Sequence, residues 1–303
     1  MNKVVKRGLG RLPTKAQVFI ENALEAVERA KTDWMLFRVR QASPTVSIIN
    51  AEQISSLCQS EKIGPVCHVL GSGWSLLSGL KKINPAFDFV LGFNFSALAW
   101  PEPDMHFVEI ASNKTERLSS VSKAQHLLIR EVGLLRKRRV VFKNVWEGKN
   151  EVKPMAYGYG EGAFFLKDYP VRCLSHSTLD LVADKVLNPR QGYIRQYSST
   201  SLTLIGIAYR LGFERIVLHG VDFSGPHFYD LPDFNCLANL EGIVKMIRNP
   251  LVEMGSKHLT AVDGLGQQAV IPVLRERLTS LNVELLTGSA ESPLSEILPV
   301  YSE

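Results

Sequence analysis

The sequence predicts an α/β fold built on a doubly wound, mostly parallel sheet with helices on both faces. Three observations carry that prediction. Short apolar runs at Phe87 to Leu91, Met105 to Ile110, Val140 to Val145, Ile216 to Leu218 and Val283 to Leu286 alternate with helical segments. The stretch from Tyr197 to Phe223 reads as one complete crossover unit, and Gly71-Ser72-Gly73 reads as a tight strand-to-helix turn. A sheet of this kind is Rossmann-like, and it binds ligands at the carboxyl ends of its strands.

The elements follow in order. Residues 1–62 form a basic N-terminal extension, in which Ala16 to Ala30 is patterned as an amphipathic helix and Val39 to Ile49 is more strand-like. The principal domain, 63–303, opens with a strand that leads from Gly64 into the glycine turn and then a helix. Arg136-Lys137-Arg138-Arg139 reads as a helix end, where cations complement the dipole, before the strand at Val140. In the crossover unit, Leu202, Leu204, Ile205, Ala208, Tyr209 and Leu211 cover one helical side. The hydroxyls of Ser198 to Ser201 supply caps before that helix, and Gly212 stops it. The buried strand Ile216-Val217-Leu218 then ends in Gly220-Val221-Asp222-Phe223. A lid-like segment spans about 224–262, and a last helix runs from about Asp263 to Leu281.

Composition narrows the function classes. With 303 residues, 45% hydrophobic and 21% charged, the chain can bury a full core. No apolar run approaches the roughly 18 residues of a membrane span, and Met1 to Arg7 lacks an apolar signal core, so the expected address is cytoplasmic. Lys3, Lys6, Arg7, Arg11 and Lys15 leave open a peripheral contact with anionic lipid at the inner face of a membrane. Cys58, Cys67, Cys173 and Cys236 are widely separated and read as reduced core residues. The net charge of +5 comes without any nucleic-acid-binding motif, so nucleic acid is not an expected partner. No Asp-x-Asp metal signature occurs, and no metal or resident cofactor is expected. Self-association stays open.

Two places carry chemistry on their own. Gly71-Ser72-Gly73 lets the backbone approach a phosphate while the next helix offers N–H groups. It is not a Walker loop, and a plain tight connection is an equal reading. The hydroxyls at the start of the crossover helix are either caps or ligand contacts. His219, inside an apolar strand, reads as a core residue, and Asp222 reads as a hydrogen-bonding group at the strand end. His258, in a loop, is by itself a solvent-exposed histidine.

Taken in order, separated segments resemble the bacterial sialyltransferases that cap lipooligosaccharides. These are Val69 to Leu76, Phe93-Asn94-Phe95, Ser198 to Phe223, His258 to Asp263 and Ser292-Pro293-Leu294, spread over roughly residues 66 to 297. The resemblance implies a GT-A-like variant of the fold and an inverting, metal-independent transfer of a sialic acid or related keto sugar acid. The donor would be a CMP-activated sugar and the acceptor a glycan or lipooligosaccharide hydroxyl. By the same resemblance, Gly71, Ser72, Gly73, Ser75 and Asn94 contact the donor, with Glu109 a weaker match for a second asparagine. Ser199, Thr200 and Ser201 hold it at the helix start, as do Asp222, Phe223 and Ser224 at the strand end. Tyr229 serves the leaving phosphate and His258 is the general base. Ser224 stands where the family often has a tyrosine, and His227 is a nearby substitute. Two other readings stay open, a pterin-pyrophosphokinase-like or other nucleotide-binding enzyme, and a noncatalytic binding protein on the same fold.

Overall fold

The computed structural model describes residues 8–302 apart from 43–46, 58–63, 110–115, 138, 144–145, 148–150, 153–162, 189–191 and 249–264. Twelve strands occur among the described residues: β1 (Ser47–Ile49), β2 (Val66–Leu70), β3 (Phe89–Phe93), β4 (Met105–Glu109), β5 (Val140–Lys143), β6 (Trp146–Glu147), β7 (Glu151–Val152), β8 (Ala163–Leu166), β9 (Asp168–Pro170), β10 (Ile194–Gln196), β11 (Arg215–His219) and β12 (Glu284–Thr287). The helices are α1 (Thr14–Ala42), α2 (Ala51–Leu57), α3 (Leu76–Gly79), α4 (Glu116–Glu131), α5 (Leu179–Leu187), α6 (Thr200–Arg210), α7 (Glu241–Ile247) and α8 (Gln267–Ser280).

Eight strands form one sheet in the order β1-β8-β5-β4-β3-β2-β11-β12. Every pairing in it is parallel. The alternation of side chains along each strand explains why both faces are covered. Cys67, Val69, Leu91, Phe107, Val141 and Phe164 join a core with α5, α6 and α8, whereas Leu70, Val90, Val108, Phe142 and Phe165 join a second core with α4 and α7. The expected doubly wound parallel sheet is what the chain forms.

Some boundaries differ from the sequence reading. Helix α1 runs through Val39 to Ala42, and among the described residues of the strand-like stretch the strand is Ser47–Ile49. Met35 and Leu36 are buried on the continuing helix, and Arg38, Arg40 and Gln41 are good helix formers, so periodicity outweighs the local β character. The last helix is described from Gln267, with Gly266 at its N-cap. Strands β8, β9 and β10 have no counterpart in the sequence reading. They are three or four residues long, too short for a period to be read.

Candidate functional site

From β2 the chain builds outward through β3, β4 and β5, whereas β11 and β12 lie on the other side of β2. The carboxyl ends of β2 and β11 therefore frame the topological switch point, where a crevice opens in this class of sheet. Gly71 N donates to the His219 carbonyl at 2.8 Å, and Gly73 N donates to that of Gly220 at 2.7 Å. A Cβ on Gly71 would lie 2.3 Å from the Gly220 carbonyl oxygen, and one on Gly73 would lie 2.3 Å from Asp222 Oδ2. Close packing against the β11 turn thus requires both glycines.

The buried Asp222 carboxylate ties this side together. Its Oδ2 accepts from Ser75 N at 2.9 Å, and its Oδ1 accepts from Ser75 Oγ and Ser292 Oγ, each at 2.8 Å. Ser292 also accepts from Leu294 N as the cap of a short 3₁₀ turn, so the loop after β12 is fixed to the same carboxylate. Phe223 is buried in the adjoining core, and Ser224 is half-buried.

The glycine turn is also clamped from the side. The Ser72 carbonyl accepts from Phe228 N at 3.1 Å and from His227 Nδ1 at 3.2 Å. The His227 ring stacks on Tyr229 at 4.9 Å, and Tyr229 packs edge-on against Phe95. Tyr229 therefore sits in the wall beside the glycine turn, with most of its surface buried. Ser72 Oγ accepts from Phe95 N at 3.3 Å, which joins the turn after β2 to the turn after β3.

Asn94 occupies that second turn with φ of 53°, a left-handed conformation that asparagine tolerates. Its Oδ1 accepts from Glu109 N at 3.3 Å. Its carbonyl accepts from Nε2 of the fully buried His106 at 3.0 Å. Burial pushes His106 down to about 4, a shift only partly offset by that backbone bond. His106 is consequently neutral at physiological pH.

On the far side of the edge, Glu109 and Thr200, both expected as donor contacts, meet three residues that the sequence reading did not single out, Lys143, Asp168 and Gln196. Lys143, fully buried at the end of β5, donates to Thr200 Oγ1 at 3.1 Å and lies 3.7 Å from Glu109 Oε2. Thr200, at the start of α6, donates in turn to Glu109 Oε2 at 3.1 Å. With its amide turned to match its neighbours, Gln196 accepts from Lys143 at 3.2 Å and donates to Asp168 Oδ2 at 2.7 Å. Asp168 is pushed up to about 6, chiefly by burial, with Lys143 pulling it down and Glu109 pushing it up. The signal available in the sequence was a lysine closing the apolar run Val140-Val141-Phe142. Buried strands rarely end in an unpaired cation.

Ser199 occupies the N-cap position of α6, but its side chain makes no capping bond. Its hydroxyl pairs with Ser201 at 2.7 Å, and Ser201 reaches Gln267 on α8 at 3.1 Å. Of the hydroxyls expected as caps, Ser201 thus links α6 to α8, and Thr200 links α6 to the ends of β4 and β5. The preceding Ser198 has φ of 55°, an uncommon backbone state for serine.

No protein-family model matches this chain, and no curated protein matches it. Among solved structures, it is similar to the monofunctional α-2,3-sialyltransferase Cst-I of Campylobacter jejuni, at 13% identity and a TM-score of 0.44, over 80% of this chain and 82% of that one. It is likewise similar to the Campylobacter jejuni sialyltransferase CstII in complex with the substrate analogue CMP-3FNeuAc, at 14% identity and a TM-score of 0.43, over 78% and 86%. These are distant likenesses, and the sheet order rather than the superposition establishes the fold.

The residues expected from the sequence fall along one edge. Gly71, Ser72, Gly73 and Ser75 follow β2, Asn94 follows β3, Glu109 ends β4, Thr200 opens α6 and Asp222 follows β11. His258 lies outside the described residues. His219 is a core residue, with Nε2 2.8 Å from His68 Nδ1, and the far nitrogen of His68 is 3.1 Å from Asp88 Oδ2. Burial drives His219 well below the usual imidazole range.

Proposed function

We propose that this chain is an inverting glycosyltransferase that moves a sialic acid or related keto sugar acid from a CMP-activated donor to a glycan hydroxyl. The observation that carries the reading is convergence. Gly71, Ser72, Gly73, Asn94, Thr200 and Asp222 lie far apart in the sequence yet meet along the carboxyl edge, beside the switch point where nucleotides bind in such sheets.

The chemistry asks for what this edge offers. Loss of CMP gives the sugar oxocarbenium character and places negative charge on the phosphate. Backbone amides at the start of α6, with the hydroxyl of Ser72, which accepts from Phe95 N and has its own proton to donate, are neutral donors suited to that charge. Tyr229, beside the glycine turn, is proposed to serve the leaving phosphate. His258 is proposed to take the proton from the attacking hydroxyl, because an imidazole of ordinary pKa accepts a proton near neutral pH. A single displacement inverts the anomeric centre. These neutral donors and the His base complete the reaction without a divalent metal.

The test is release of CMP from CMP-Neu5Ac and CMP-Kdo in the presence of a glycan acceptor, with and without EDTA. Turnover that survives EDTA and disappears in His258→Ala supports the reading. Absence of turnover with every CMP-activated keto sugar acid, or full activity of His258→Ala, defeats it. Thermal stabilisation by ATP with Mg²⁺ and not by CMP would move the assignment to a different nucleotide-binding enzyme.

A further inference from the structure

Helix α1 is attached to the body by a face on which buried polar side chains outnumber the apolar Met35 and Leu36. Gln17, Glu21, Glu25 and Thr32 are buried beneath it. Glu21 accepts from Leu174 N at 2.6 Å and from Thr178 Oγ1 at 2.7 Å. Glu25 accepts from Arg172 N at 2.9 Å and Lys185 at 2.7 Å, and it pairs with Arg195 at 3.3 Å. These bonds hold the helix against the segment around β9 and against α5.

The opposite face is apolar and exposed. Phe19 is 75% exposed, Phe37 57%, Val27 54% and Trp34 45%. Ala23 and Ala30, both exposed, lie between them. At 100° per residue these six positions fall within a sector of about 80°, a continuous stripe along most of a helix about 43 Å long. Among the described residues, no helix is long and apolar enough to cross a membrane, so α1 is no membrane span.

Charge decides what this stripe meets. Arg11, Lys15, Lys31, Arg38 and Arg40 are exposed on or beside α1, and the Arg38 guanidinium lies 5.2 Å from the centre of the Trp34 ring. The helix's partly exposed carboxylates are already paired, Asp33 with Lys167 at 3.2 Å and Glu28 with Arg172 at 3.2 Å and Lys31 at 3.3 Å, which leaves Arg11, Lys15, Arg38 and Arg40 as the cations offered to a partner. In a self-association through this face, cations of both copies would flank the same seam and repel. An anionic lipid surface presents the complementary charge and also accepts the aromatic side chains at its headgroup boundary.

We propose that α1 lies in the plane of an anionic membrane surface, with Phe19, Val27, Trp34 and Phe37 inserted at the headgroup boundary and the flanking cations on lipid phosphates. This docking is independent of the reaction assigned to the sheet edge. It is tested with the full-length chain by co-sedimentation with phosphatidylcholine vesicles, with and without phosphatidylglycerol, while the tryptophan emission is followed.

The protein is expected to bind the anionic vesicles, with a blue shift in emission that Trp34→Ser removes. Phe19→Ser/Trp34→Ser/Phe37→Ser is expected to weaken binding about a hundredfold, and Arg38→Gln/Arg40→Gln roughly tenfold. Because the altered side chains are exposed, the thermal midpoint of each variant should stay near that of the parent. Failure of the parent to bind anionic vesicles overturns the proposal, as does undiminished binding of the triple serine variant. A parent dimer that ignores vesicles and is dissociated by the triple serine variant assigns the stripe to a second copy instead.

Discussion

The two sides of the sheet edge hold their carboxylates in opposite ways. Beside β2 and β11, Asp222 is surrounded by neutral donors, the Ser75 amide and the hydroxyls of Ser75 and Ser292. Beside β4 and β5, the carboxylates of Glu109 and Asp168 share one buried cation, Lys143, through Thr200 and Gln196. The first arrangement fixes loops without depending on a counter-ion. The second balances charges, so the loss of one member leaves the others unmatched.

That contrast can be broken most strongly at Lys143. Lys143→Met leaves buried carboxylate charge uncompensated and should lower stability by about 3–5 kcal/mol. In urea unfolding, adding Asp168→Asn to that variant should recover part of the loss. Recovery by neither Asp168→Asn nor Glu109→Gln would mean that the lysine is not the balancing charge.

The β2 side should respond to space rather than to charge. Gly71→Ala drives a methyl group into the Gly220 backbone and should cost about 3 kcal/mol, read as a fall in thermal midpoint. Gly212→Ala is the control. A Cβ there meets nothing within 4 Å, so only its φ of 87° is penalised, at about 1 kcal/mol.

Acid separates His106 from Asp168. The folded-state value of about 4 for His106 lies below its ordinary 6.5, so its contribution is present above pH 6.5 and is lost as pH falls through 4. Asp168 runs the other way. Its folded value of about 6 lies above the ordinary 3.8, so its contribution is greatest at low pH and is lost as pH rises through 6. Between pH 6 and 4, His106→Gln should therefore resist acid better than the parent, and Asp168→Asn should resist it less well. Each difference should be about 2 kcal/mol in urea titrations at the two pH values. Two variants with the same pH slope as the parent would remove the distinction.

A smaller effect than at Gly71 is expected at Asp222. Asp222→Asn keeps the shape but replaces one accepting oxygen by an N–H, and it should cost about 1–3 kcal/mol. CMP affinity, measured by calorimetry, should fall with it if the turn after β2 holds the nucleotide.

Legibility followed the same division. Gly71-Ser72-Gly73 and Gly220-Val221-Asp222-Phe223 could be read because each packs its requirement into adjacent residues. A glycine forced by close approach leaves a local trace. The cluster of Glu109, Lys143, Asp168, Gln196 and Thr200 draws on five separate elements, so no window of sequence contains it. The orientation of α1 was hidden for a related reason. Its amphipathic pattern is plain in the sequence, but the pattern cannot say which face the body takes, and Glu21 and Glu25 find partners only once α5 and the β9 segment are in place.

By itself, the sequence determined the class of sheet, its tight turns and the buried strands, because periodicity and glycine placement act over a few residues. The tertiary structure alone decided the pairing of β1 with β8, the sharing of Lys143 by two carboxylates and the outward turn of the apolar face of α1. Each of these depends on which distant groups come within a few ångströms, and both hydrogen bonding and Coulomb attraction are settled at that range.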